Sequence, residues 1–118
     1  MGAKSFRDLL VWQKSRDITV DIYRELSTVR DYGFRDQIQR ASVSIMNNVA
    51  EGYGKRSDKA LANYLRIARG SAAEVESMLM IATDLGYLQE TKQAELLSKI
   101  TDVNKLLSAF MRRLSAHS

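Results

Sequence analysis

Leu61, Leu65, Ala68, Ala72, Val75, Leu79 and Ala82 alternate at spacings of four and three residues over three heptads, and this run limits the fold more than any other feature of the sequence. At that spacing every side chain falls in one narrow stripe of an α-helix, the seam along which helices pack at a shallow angle. A helix is predicted from Asp58 to about Leu85, roughly 40 Å long at 1.5 Å per residue. Ser57 stands where an N-capping hydroxyl belongs, and Gly86 stands where a left-handed residue ends a helix.

Three other segments carry the same kind of pattern. Val11, Trp12, Ser15, Ile18, Thr19, Ile22, Tyr23, Leu26 and Val29 form a stripe opposite Lys14, Asp17, Asp21 and Glu25. They predict a first helix that opens at a Ser5/Asp8 capping box and runs to about Val29, with Trp12 as a core anchor rather than a stacking platform for a base. Phe34, Ile38, Ala41, Ile45 and Val49 predict a second helix to about Glu51. Leu96, Ile100, Val103, Leu107, Phe110 and Leu114 predict a fourth, starting near Thr91. Between the second and third, Gly52 and Gly54 are read as the residues that stop the chain before Ser57 restarts it. Four amphipathic helices with short connections make an all-α, antiparallel up-down-up-down four-helix bundle, and 118 residues suffice for one such domain spanning 1–118. The absence of proline agrees with long uninterrupted helices.

The third helix has apolar surface left over. With its heptad line turned to the core, Ala60, Ile67 and Ile81 make a second line, flanked by Gly70, Ala73 and Met80 and broken only by Glu74. Glycine inside a helix costs about 1 kcal/mol relative to alanine, so Gly70 calls for a reason, and close approach of another helix supplies one. Ala60, Ile67, Gly70, Ala73 and Ile81 are therefore the expected oligomer interface.

Little catalytic chemistry fits the chain. There is no cysteine, and the one histidine, His117, is the penultimate residue, so nucleophile–imidazole systems and thiolate or imidazole metal sites lack parts. Gly52-x-Gly54-Lys55-Arg56-Ser57 resembles a phosphate loop only superficially, because Val49 occupies the place of its first glycine and Arg56 that of the magnesium-binding hydroxyl. Glu74 and Glu76 lie on different helix faces and read as partners for arginines. No enzyme activity, cofactor or metal is expected. Neither a signal-like segment nor an apolar run of the ~20 residues needed to cross a bilayer is present, so the expectation is a cytoplasmic protein without membrane contact.

Charge is unevenly placed along the chain. Residues 30–69 hold eight basic and four acidic side chains, against five and four in residues 1–29 and five and six in residues 70–118. A basic region of this kind suits a polyanion such as RNA or DNA. Lys55 and Arg56 precede a helix N-terminus, Arg66 and Arg69 follow along that helix, and Arg35 and Arg40 are expected to add to the same side. These six cations are the candidate nucleic-acid contacts. The competing reading is a protein-binding scaffold with no nucleic-acid role.

Several blocks also carry a resemblance: Asp8 to Lys14, Gln37 to Ala41, Asn48 to Gly52 with Ser57, and Ala68 to Ser71 with Glu74 and Glu76. In that order they resemble the proteins encoded within bacterial 23S ribosomal RNA intervening sequences, over about residues 6–88. The resemblance implies a four-helix bundle assembled as a homopentameric ring, no catalysis, and a distant likeness to nucleic-acid-binding accessory proteins of diversity-generating retroelements. The chain departs from the family pattern at Met46, where proline is common, and at Ala60-Leu61, which replaces Glu-Phe. Asn48, Glu51, Arg69 and Glu74, at matching positions, are read either as functional residues or as links between helices through buried polar bonds, the structural role being favoured.

Overall fold

In the computed structural model, which describes residues 5–116, the heptad stripes become the inner faces of four helices: α1 (Leu10–Glu25), α2 (Tyr32–Gly54), α3 (Asp58–Asp84) and α4 (Glu90–Ala116). Each helix packs on its neighbours in sequence and α1 closes against α4, while the backbones of the diagonal pairs stay apart. The result is an all-α four-helix bundle, 46 × 20 × 20 Å, whose length is about that of its 27-residue helices. His117 lies outside the described residues.

All seven heptad residues of α3 are buried, as are Ile38, Ala41, Ile45 and Val49 of α2 and Leu96, Ile100, Val103 and Leu107 of α4. Between α1 and α2 the seam includes buried polar side chains, Ser15, Thr19 and Ser42. Buried Thr19 donates its hydroxyl to the carbonyls of Ser15 (2.7 Å) and Ser42 (3.1 Å), and Ser15 donates to Val11 (2.7 Å). Small hydroxyl side chains satisfy themselves on the backbone and let the two helices approach. Trp12 is half-buried, packed on the core margin and edge-on to Phe6 at 5.1 Å.

Several boundaries differ from the sequence reading, each for a physical reason. The Ser5/Asp8 capping box forms, but it caps a single 3-10 turn, Phe6–Asp8. Leu9 is extended before α1 begins. α1 ends at Glu25 instead of Val29, although Leu26 and Val29 are still buried, because the connection itself folds down onto the end of the core. α2 does not stop at Glu51 but runs through both glycines to Gly54. Gly52 is there for proximity: a Cβ on it would lie 2.6 Å from Tyr64 Cβ and 3.0 Å from Leu61 Cδ1, so only glycine lets α2 and α3 converge. The residue that takes up the left-handed conformation is Arg56, at φ 56°.

The other helix end follows the sequence reading closely. Gly86, at φ +76°, donates its amide to Thr83 O (3.0 Å), and Tyr87 donates to Ala82 O (2.9 Å), the paired bonds of a Schellman cap. Ser57 accepts from the Ala60 amide at 3.3 Å and caps α3.

Candidate nucleic-acid interface

The α2–α3 joint consists of Lys55, Arg56 and Ser57, all exposed, at one end of the bundle. Its residues are held by short-range bonds: the Lys55 amide donates to Gly52 O at 3.2 Å, and Ser57 caps α3. The Lys55 ammonium lies 5.9 Å from the Tyr64 ring centroid, which aims it along the surface of α3. A left-handed non-glycine residue costs about 1–2 kcal/mol, so Arg56 is held against its own preference. Together with Phe6, Gly52 and Tyr53, Arg56 and Ser57 line a depression of about 550 Å³.

The six cations expected to act together are distributed over the molecule. Arg66 and Arg69 turn to the groove between α3 and α4, beside Lys59 and Arg112, and are therefore in the same half of the bundle as the joint. Arg35 and Arg40 are not. They occupy the first turns of α2, and the 20 residues from Arg35 to Lys55 are about 30 Å of helix. Arg35 is also committed internally, donating to the carbonyls of Ser27 and Val29 (3.4 Å each) with its guanidinium 4.8 Å from the Tyr32 ring centroid. Arg40 lines a separate depression between α2 and α3 with Gln37, Ser44, Ser71 and Glu74.

The polar links between α2 and α3 lie in and beside that depression. Asn48 donates to Ser44 O (2.8 Å) and Ser44 Oγ (3.0 Å), and the Ser44 and Ser71 hydroxyls are bonded at 2.9 Å, so Asn48 ties α2 to α3 through a serine pair. Glu74 accepts from Gln37 Nε2 at 3.1 Å, a glutamine and not the arginine expected for it. Glu51 and Arg69 are exposed.

Folding back the chain changes where the positive charge resides. A cut across the bundle at the Ser44–Ser71 contact leaves residues 5–17, 44–70 and 104–116 on the joint side, with eleven basic and four acidic side chains. Residues 18–43 and 71–103, on the other side, have six basic and ten acidic. The excess belongs to one half of the bundle, including Lys14 of α1 and Arg112 and Arg113 of α4, and not to the α2–α3 pair as a unit. Charge counted along the chain hides this: the antiparallel topology brings the start of α1, the joint and the end of α4 together.

The far end is closed by side chains. Tyr87 donates its hydroxyl to Asp31 at 2.7 Å, and its ring meets Phe34 edge-on at 5.2 Å. Asp31 also caps α2 by accepting from the Phe34 amide at 3.1 Å. The Tyr87 bond, followed by the Phe34 amide, holds the Asp31 carboxyl below its ordinary 3.8, and the same bond raises the Tyr87 phenol above 10.0. Nearby, Lys99 pairs with Asp21, and Lys92 bridges Glu25 (3.7 Å) and Glu95 (3.3 Å), stitching α4 to α1.

Among the described residues no cluster of three or more His, Cys, Asp or Glu side chains could hold a metal, and no helix is long and apolar enough to cross a membrane. The fold and surface define a class: a helical bundle with one strongly basic half and a closed, acidic opposite half. Residues 7–109 match the family model of the 23S rRNA-intervening sequence protein, and the chain belongs to that family, which is not a catalytic one. It is similar to the crystal structure of a protein of unknown function from the S23 ribosomal protein family of Bacteroides thetaiotaomicron, with 27% identity and a TM-score of 0.81 over 86% of this chain and 98% of that one. No curated protein matches it.

Proposed function

We propose that this protein is a homo-oligomeric bundle that binds RNA or another nucleic acid through its basic half. The observation that carries the reading is the lengthwise charge division, eleven basic side chains to four acidic on the joint side. Such a surface attracts phosphates without reading sequence. The family name, with its reference to ribosomal RNA, favours RNA as the polyanion. Binding of a structured RNA hairpin followed against salt tests it. About four to six phosphate contacts give a slope of log K on log salt of roughly −3 to −5. Salt-independent binding, or none at low salt, supports the protein scaffold instead.

Self-assembly draws on a different surface. Ile67 (54% exposed), Ile81 (46%) and the adjoining Met80 (56%) lie open on α3, with Gly70 and Ala73 between them; Ala60 is half-buried beside the joint. Apart from its chain neighbours and the local backbone of α3, no atom among the described residues lies within 4 Å of where a Gly70 Cβ would be, so packing within one bundle does not require a glycine there. A neighbouring helix packed over this line gives Gly70 its reason, and the family resemblance makes a five-membered ring the expected assembly. Gly70→Glu is expected to reduce the mass measured by light scattering to that of a monomer while leaving helicity intact. A wild type that is monomeric at micromolar concentration removes the interface.

A further inference from the structure

The groove between the first half of α3 and the end of α4 differs from the rest of the basic half, because it has an apolar floor. It encloses about 630 Å³. Half-buried Met111 and Leu114 of α4 and Ala62 of α3 line its base, packed against or beside the core margin. Lys59, Arg66, Arg69 and Arg112 surround them, against a single carboxylate, Asp58. Arg66 is held in position by a bond from Nη1 to Asn63 Oδ1 at 2.6 Å. From Asp58 to Arg69 the groove follows twelve residues of α3, about 17 Å, or three turns of helix.

We propose that this groove docks a short acidic amphipathic helix of a partner protein, about three turns long, with its apolar stripe on Met111 and Leu114 and its carboxylates on the surrounding cations. Charge complementarity selects the occupant. Four cations around an apolar floor match a ligand that is anionic on both flanks and apolar between them, the form in which helices are bound in grooves. A nucleic acid fits this groove less well than the joint. Its backbone needs the cations but not the floor, and the groove lining contains no aromatic ring on which a base could stack. The inference goes beyond the nucleic-acid reading and does not rest on it.

The test uses the full chain and two fluorescent peptides of about fourteen residues with the same composition of Leu, Ala, Glu and Asp. In one, the leucines recur at helical spacing; in the other, their order is scrambled. The striped peptide is expected to bind at least about tenfold more tightly than the scrambled one. Met111→Ser and the double variant Arg69→Glu/Arg112→Glu should each abolish that preference, whereas Lys55→Glu/Arg56→Glu should leave it unchanged. Circular dichroism verifies that every variant keeps its helicity, as surface and groove-margin positions allow. Equal binding of the two peptides, or binding of neither, overturns the proposal. It is also overturned if Met111→Ser weakens an RNA hairpin as much as Arg69→Glu/Arg112→Glu does, because the groove is then a nucleic-acid seat.

Discussion

The two ends of this bundle are built on opposite principles. At the end where α1 meets α2 and α3 meets α4, side chains close the structure: Leu26, Val29 and Leu88 are buried, Asp31 caps a helix and receives Tyr87, and Gly86 ends α3 in an unstrained Schellman cap. At the joint end, a three-residue connection is achieved by close approach at Gly52 and a left-handed arginine, and the surface around it is left strongly positive. One end takes the residues that geometry prefers. The other carries an arginine where glycine would be more comfortable, and such departures cluster where a surface has a task.

The largest effect that should separate the ends is at Gly52. A methyl group there meets Tyr64 Cβ at 2.6 Å, an atom next to the backbone that cannot swing away, and presses on the Leu61 Cδ1 methyl, so Gly52→Ala is expected to destabilise the bundle by about 1–3 kcal/mol in urea unfolding. A loss no greater than helix propensity allows would mean that the joint is loosely packed.

How far this contrast could be read from sequence depends on the residue. Stripes such as Leu61 to Ala82 were legible because burial obeys the helical period, and Ser57 and Gly86 because caps have a local chemistry. Gly52 was not, since a glycine that ends a helix and one that admits a neighbouring helix look alike until the neighbour, Tyr64, is in place. The end of the first helix is obscured in a similar way, because Leu26 and Val29 keep an apolar spacing while serving a connection. The basic half was hidden in part. Lys14, Lys59 and Arg112 are far apart in the chain and reach one end only when antiparallel helices fold back.

A smaller effect is expected at Arg56. Arg56→Gly relieves the left-handed backbone and should raise stability by about 0.5–1 kcal/mol while weakening RNA binding, a trade of stability for function. If the variant gains stability and loses no affinity, the strain at the joint has no connection with nucleic acid.

The smallest effect belongs to the closed end. The bonds to Asp31 favour its ionised form, so their contribution is fully present above the unfolded carboxyl value of 3.8 and is lost as pH falls through the lower folded one. The Tyr87 phenol, raised in the folded state, contributes below 10.0, and that contribution is lost as pH rises through its folded value. Tyr87→Phe should therefore lower Tm slightly at neutral pH and flatten the dependence of stability on acid. An unchanged acid profile would show that the Asp31–Tyr87 contact adds nothing to closure.

The claim that one half of the bundle is the polyanion surface is tested most directly by paired charge reversals at the two ends. Binding of an RNA hairpin would be measured against salt for the wild type, for Lys55→Glu/Arg56→Glu at the joint, and for Arg24→Glu/Arg30→Glu at the opposite end, where both arginines are also exposed. The joint variant is predicted to bind more weakly and to lose about two from the magnitude of its salt slope, roughly one for each phosphate contact removed, with the far-end variant close to wild type. Equal losses from the two pairs, or a loss only from the far-end pair, would contradict the assignment.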